Sequence, residues 1–155
     1  MDRHRHRYRY RFRSVWELDA PPGAVLAVLS RPGDYPRWWP QVRAVTVLGE
    51  DRGTVRVRSL LPYELNLAAR AVRRDPAAGV LEIALRGDLD GWARWTVTAQ
   101  SRGSRVVYEQ EVEVRRPLLR RLTGPGRPLL RANHALMMRA GRRGLAAYLR
   151  TGHRI

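Results

Sequence analysis

Residues 105–149 read RVVYEQEVEV RRPLLRRLTGPG RPLLRANHALMMRAGRRGLAAYL, and the hydrophobic period changes partway along. Up to Val114 the chain alternates, with Val106, Tyr108, Gln110, Val112 and Val114 on one side and Glu109, Glu111 and Glu113 on the other. That is the period of a strand with one face on a core. After Arg115-Arg116-Pro117 the period becomes helical: a short run, Leu118 to Leu122, is broken by Thr123-Gly124-Pro125-Gly126, and a helix is expected from about Pro128 to Leu149. Its apolar stripe, Leu130, His134, Met137, Gly141, Leu145 and Tyr148, steps by four, three, four, four and three residues. Such a helix is longer than a connector.

Working back from Val114, period two continues to Val42, interrupted at Glu50-Asp51-Arg52-Gly53, Leu61-Pro62-Tyr63, Asp75 to Gly79, Asp88-Leu89-Asp90-Gly91 and Ser101 to Ser104. Six strands fit between these breaks. Their expected inward faces carry Val55, Val57 and Ser59; Leu65, Leu67, Ala69 and Ala71; Leu81, Ile83 and Leu85; and Ala93, Trp95 and Val97 before the last strand. The opposite faces carry Arg56, Arg58, Arg70, Glu82, Arg86 and the three glutamates, suited to cross-strand ion pairs. Arg94 falls outward by the same parity. Upstream, Tyr8, Tyr10, Phe12, Ser14, Trp16 and Leu18 alternate with arginines as a first strand. A short helix opened by Pro21-Pro22 follows, with Asp19 as candidate N-cap, and then a proline-bracketed turn, Asp34-Tyr35-Pro36-Arg37-Trp38-Trp39-Pro40.

A strand, two short helices, six antiparallel strands and one long helix bury their apolar faces only if the sheet curls around the last helix. The expectation is a single α+β domain over residues 1–155: a curved seven-stranded antiparallel sheet, in the order β-α-α-β6-α, around a C-terminal helix. Gly141 and Gly144 permit close approach, and a wide sheet gripping one helix leaves a hollow.

The chain has 155 residues and a net charge of +16, and all 30 basic residues are arginine. Complete replacement of lysine reads as base composition of the genome, so the distribution of charge says more than the total. Residues 1–13 carry +5 and residues 115–155 carry +11, while the thirteen arginines between them balance thirteen acids. With no cysteine, a disulfide scaffold, a thiolate metal site and a cysteine nucleophile are excluded. No apolar run approaches a membrane span, and Met1 leads into Arg and His instead of a hydrophobic signal segment. The default is a cytoplasmic protein.

Leu18-Asp19-Ala20-Pro21-Pro22 before the first helix, the Asp34–Pro40 turn after it, Gly87-Asp88-Leu89-Asp90-Gly91 before a Trp-bearing strand, and Asn133-His134 with Met137 or Met138 and Gly144-Leu145 in the last helix carry a resemblance. In these motifs and in element order, nearly the whole chain resembles the polyketide cyclase/dehydrase group of the START-like (SRPBCC), helix-grip superfamily. The resemblance implies a deep, mainly apolar cavity between sheet and helix that binds a lipid, polyketide or similar hydrophobic molecule. Members range from aromatase/cyclases to lipid carriers.

His134 is the one histidine in a core position; His4, His6 and His153 lie in the terminal segments. An imidazole there suits acid/base work or hydrogen bonding to a carbonyl oxygen. The plainer alternative is a histidine hydrogen-bonded to a neighbouring strand or loop. Gln110, Ser59 and Tyr108 also fall on apolar faces, where a polar side chain costs about 1–3 kcal/mol unless partnered, and a cavity ligand or one another could supply that partner. Catalytic candidates are therefore His134, Gln110 and Tyr108, and the expected ligand wall is Trp39, Ser59, Leu67, Leu85, Trp95, Tyr108, Gln110, His134, Met137 and Gly141. Trp38 and Trp92 are further aromatic candidates, and Asn133, turned about 100° from His134, belongs to polar surface or a cap.

Sharper motifs fail. His4-Arg5-His6 has no third ligand, Asp88–Gly91 lacks the other oxygens of a calcium loop, Gly124-Pro125-Gly126 lacks the amide donor and lysine of a phosphate loop, and no nucleophile has an evident His partner. No metal or cofactor is expected. Two functions remain: a hydrophobic-ligand protein, with aldol cyclisation or dehydration of a bound polyketone as its reaction if it has one, or a non-enzymatic carrier with the same cavity; and a basic module docking an acyl carrier protein, an anionic membrane or nucleic acid through Arg9, Arg11, Arg13, Arg131, Arg139, Arg142 and Arg143. Nucleic acid is disfavoured because the aromatics of the first strand face the core. A homodimer is one candidate assembly.

Overall fold

The computed structural model describes residues 8–58, 64–120 and 127–151. The chain runs β1 (Arg9–Leu18), α1 (Pro22–Leu29), a 3-10 turn (Pro32–Asp34), α2 (Tyr35–Trp38), β2 (Val42–Val47), β3 (Arg52–Arg58), β4 (Glu64–Asp75), β5 (Val80–Gly87), β6 (Leu89–Gln100), β7 (Gly103–Val114), α3 (Pro117–Arg120) and α4 (Arg127–Arg150). All seven strands join one antiparallel sheet in the order β1-β7-β6-β5-β4-β3-β2. Hairpins make the consecutive pairs, and β1 closes the other edge by pairing with β7 from Arg9↔Glu113 to Leu18↔Ser104. Register shifts between Val42 and Ala44 on β2 and between Ala71 and Arg73 on β4 mark irregularities of the kind that bend and twist a strand.

The parity expected from the sequence holds along β3 to β7. Val55, Leu67, Leu85, Ala93, Tyr108, Gln110 and Val112 all look into the space under α4. Charged partners meet on the other face: Arg94 contacts Glu82 at 2.5 Å and Glu109 at 3.9 Å, and Arg11 contacts Glu111 at 3.0 Å. Arg94 is thus outward, with its guanidinium 4.8 Å from the centre of the Trp92 ring.

Some local expectations fail. Asp19 does not cap α1; Pro21 takes the N-cap position with no side-chain cap, and the proline-fixed backbone starts the helix. The Asp88–Gly91 segment is only half a turn, since β6 begins at Leu89. Its carboxylates fasten the hairpin instead: Asp88 Oδ2 accepts from the Asn66 N–H at 2.8 Å and Asp90 Oδ1 from the Gly87 N–H at 3.1 Å. The second turn signal, residues 61–63, and the break at residues 123–126 lie outside the described residues, as do His4, His6 and His153.

Two cores flank the middle of α4. One packs Met138 and Leu145 of α4 with Trp16, Val25, Leu29, Trp38, Trp39, Trp95 and Val106. The other gathers Tyr10, Leu67, Leu85, Ala93, Val112, Val114 and Leu119. Gly141 and Gly144 fix how closely the first core closes. A Cβ on Gly144 would fall 1.6 Å from the Trp38 carbonyl oxygen, and one on Gly141 would fall 2.7 Å from Trp39 Cε2. Only glycines let α2 and α4 approach this far.

Candidate functional site

Between the sheet and α4 lies a cavity of about 270 Å³. Small-molecule sites commonly begin near about 300 Å³, so the space suits a compact ligand. Its wall is predominantly aliphatic and aromatic, built from inward residues of β1 to β7, from Leu29, Tyr35 and Trp39, and from Leu130, His134, Met137 and Met138 of α4.

Three polar side chains meet on this wall. Tyr108 and Gln110 are two residues apart on β7 and so share a face. The Tyr108 hydroxyl donates to Gln110 Oε1 at 2.6 Å. His134 brings Nε2 to the same oxygen at 3.3 Å. An amide oxygen has two lone pairs and serves both donors when the neutral imidazole carries its proton on Nε2, which leaves Nδ1 as an acceptor. Gln110 is only 7% exposed.

Stacking fixes the imidazole further. The Phe12 ring lies 3.7 Å from the His134 ring, centre to centre, with 11° between planes. Phe12 stands directly across from Gln110 in the β1–β7 register, and Ala93 stands across on the other side. Burial lowers the His134 pKa to about 4 and pushes the Tyr108 phenol upward. Desolvation penalises the charged form in both cases. At neutral pH the cluster is therefore an uncharged imidazole, a phenol and an amide.

Elsewhere in the wall, Trp39 is pinned to α4 by its indole N–H, which donates to the Met137 carbonyl at 2.9 Å. Trp95 touches both groups of residues: its ring centre lies 4.6 Å from that of Tyr108 and 6.0 Å from that of Trp39.

Of the expected ligand wall, Trp39, Leu67, Leu85, Trp95, Tyr108, Gln110, His134 and Met137 line the cavity. Ser59 lies outside the described residues. Gly141 does not line it: the Trp39 and Trp16 rings cover the glycine, so it supports the wall from behind. Trp92 faces outward under Arg94, and Trp38 is stacked behind Trp39 at 5.4 Å. Asn133, expected at the surface, is half-buried and reaches the cavity. Tyr10, Phe12 and Tyr35 were not expected in the ligand wall. For Tyr10 and Phe12 the alternation of β1 was the available signal, but it gives no partner strand. Among the described residues no three His, Cys, Asp or Glu side chains converge as a metal site, and no helix is long and apolar enough to cross a membrane.

The model of a family described as polyketide cyclase/dehydrase and lipid transport matches residues 5–150. No curated protein matches the sequence. Among solved structures, the Zhui aromatase/cyclase of a Streptomyces species superposes with a TM-score of 0.76 at 15% identity, covering 90% of this chain and 93% of that one. A START superfamily protein from Mycobacterium smegmatis gives 0.71 at 11% identity, covering 92% and 97%. The di-domain ARO/CYC StfQ of the steffimycin biosynthetic pathway gives 0.72 at 13% identity, covering 96% of this chain and 54% of that one.

Proposed function

We propose, from the premise that the chain belongs to the polyketide cyclase/dehydrase and lipid transport family, that its cavity holds a compact hydrophobic molecule, a polyketide, lipid or aromatic, with an oxygen of that molecule at the His134–Gln110–Tyr108 cluster. The observation that carries this reading is a predominantly apolar wall on which Tyr108, Gln110 and His134 form one hydrogen-bonded cluster. Burying the ligand's carbon surface contributes about 25 cal/mol per Å², and the cluster supplies orientation.

The reaction suited to such a site is aldol cyclisation. A proton leaves the carbon beside one carbonyl, that carbon bonds to a second carbonyl carbon, the new alkoxide takes up a proton, and water then departs if dehydration follows. The chain would contribute by folding a flexible polyketone in a dry space and by hydrogen bonding to its oxygens. One observation favours the non-enzymatic carrier as the second reading. A general base works best with a pKa near the operating pH, and His134 sits at about 4. Its neutral imidazole is better placed to hold an oxygen-bearing group than to cycle protons.

Delivery of the ligand by an acidic carrier protein fits the eleven arginines after residue 114. Tyr10 and Phe12 stand in the cavity wall, where they cannot stack on bases, which argues against nucleic acid. The test is native mass spectrometry after incubation with an apolar extract of the producing cells. A single retained apolar adduct is expected, and bare protein throughout would remove this reading.

A further inference from the structure

A second concavity, of about 420 Å³, opens on the outside of the molecule between the β2–β3 end of the sheet and α4. Four arginines line it: Arg43, Arg58, Arg139 and Arg143. They come from three elements. Arg43 sits at the β2 register shift, Arg58 ends β3, and Arg139 and Arg143 stand four residues apart on one face of α4. The Arg58 backbone N–H donates to the Gln41 carbonyl at 2.8 Å, holding the β3 end against the start of β2.

Among the described residues no carboxylate lines this cleft. The ion pairs among the described residues engage arginines 11, 37, 73, 74, 94, 115 and 116, and none of these four. What marks the site is convergence: four arginines from three elements line one concavity, and its other described lining residues, Pro40, Gln41, Leu136 and Ala140, carry no charge. Four guanidiniums held together repel one another until an anion joins them. Planar guanidinium forks bind phosphate oxygens two at a time, and a phosphate or diphosphate offers more oxygens and more charge than a single carboxylate. Leu136, 43% exposed, gives the same cleft an apolar flank for adjoining carbon atoms.

We propose that this cleft is an anion site for a phosphate-bearing ligand, separate from the cavity and independent of what the cavity holds. Val42, Val57 and Met138 face the cavity while their chain neighbours Arg43, Arg58 and Arg139 line the cleft, so the two sites lie back to back across the same elements.

The test is calorimetric titration with inorganic pyrophosphate at low salt, on the full chain and two charge-matched double variants. Arg43→Gln/Arg139→Gln removes two charges from the cleft. Arg102→Gln/Arg105→Gln removes two exposed charges from the β6–β7 hairpin. Saturable binding near one per chain is expected, weakened about tenfold or more by the cleft variant, less than about twofold by the other, and reduced by added salt. A parallel arm uses sedimentation with vesicles of phosphatidylcholine containing phosphatidylglycerol. A cleft-specific loss with pyrophosphate assigns a soluble phosphate ligand; a cleft-specific loss with vesicles alone assigns a lipid headgroup, and either upholds the site. No saturable binding to either probe, or equal losses in both variants, would overturn it, because attraction to a +16 chain as a whole would then account for the data.

Discussion

Gly141 lies directly beneath Trp39: a Cβ added to the glycine would stand 2.7 Å from Cε2 and 2.8 Å from Nε1 of the indole. The same indole N–H is bonded to the Met137 carbonyl, one turn earlier on α4. The cavity wall formed by Trp39 is therefore set by the absence of a side chain at position 141.

Gly141→Ala sets two effects against each other. Alanine favours an α-helix by about 1 kcal/mol over glycine, whereas a methyl group forced into packed rings costs about 1–3 kcal/mol. Net destabilisation is expected, with a change in tryptophan fluorescence as Trp39 moves. Gly144→Ala should cost more, because its methyl would meet the Trp38 backbone oxygen, which cannot rotate aside. Urea unfolding of the two variants checks the order. Stabilisation by either alanine would show that α2 and α4 are not in this contact.

The buried imidazole makes stability depend on pH. In the unfolded chain His134 takes up a proton near its ordinary pKa of 6.5, and in the folded chain only near 4. The unfolded state thus binds more protons across that window, so stability is complete above about pH 6.5 and declines as pH falls towards 4. The difference corresponds to roughly 3 kcal/mol. His134→Gln should remove this component of the slope between pH 6.5 and 4, measured by denaturation at several pH values. An unchanged slope in the variant would mean that the imidazole titrates freely.

Gln110→Met keeps much of the side chain's length and removes the shared acceptor. The Tyr108 hydroxyl and His134 Nε2 then lose their common partner, at a cost of about 1–3 kcal/mol for each donor left buried. Pairing the change with Tyr108→Phe should recover part of the loss, since one of those donors is then absent. A double-mutant cycle measures this coupling, and additive losses would show that the 2.6 Å bond contributes nothing.

Leu145 is 0% exposed and sits among the tryptophans of the larger core. Leu145→Ala should destabilise by about 2–5 kcal/mol. Leu129, 52% exposed on the same helix, should tolerate alanine within about 0.5 kcal/mol. Thermal melts of the pair test whether α4 presents the face described.

Much of this arrangement is legible in the sequence because a sheet with one covered face writes its parity directly into the chain. Leu67, Leu85, Trp95, Tyr108 and Gln110 could be placed by counting in twos, and His134 and Met137 by the helical stripe. What parity cannot supply is the partner of a distant strand. Phe12 reaches His134 only because β1 pairs with β7, about a hundred residues away, putting it opposite Gln110. Gly141 lies on the correct stripe, yet its role depends on where the short α2 brings Trp39, and no periodicity encodes that. Arg139 and Arg143 were grouped by charge with Arg9, Arg11 and Arg13, whereas the helix turns them towards Arg43 and Arg58. Charge counting gives the sign of a surface and leaves its neighbours to the fold.

The most direct test of the cavity is titration with the neutral apolar fluorophore N-phenyl-1-naphthylamine, comparing the native chain with Ala93→Phe. Ala93 lines the cavity directly across from Gln110, so a phenyl ring there occupies the ligand's space. The expected result is a saturable 1:1 enhancement of fluorescence that the folded Ala93→Phe variant abolishes. Absence of saturable binding to the native chain, or equal binding by the blocked variant, would contradict a ligand site between the sheet and α4.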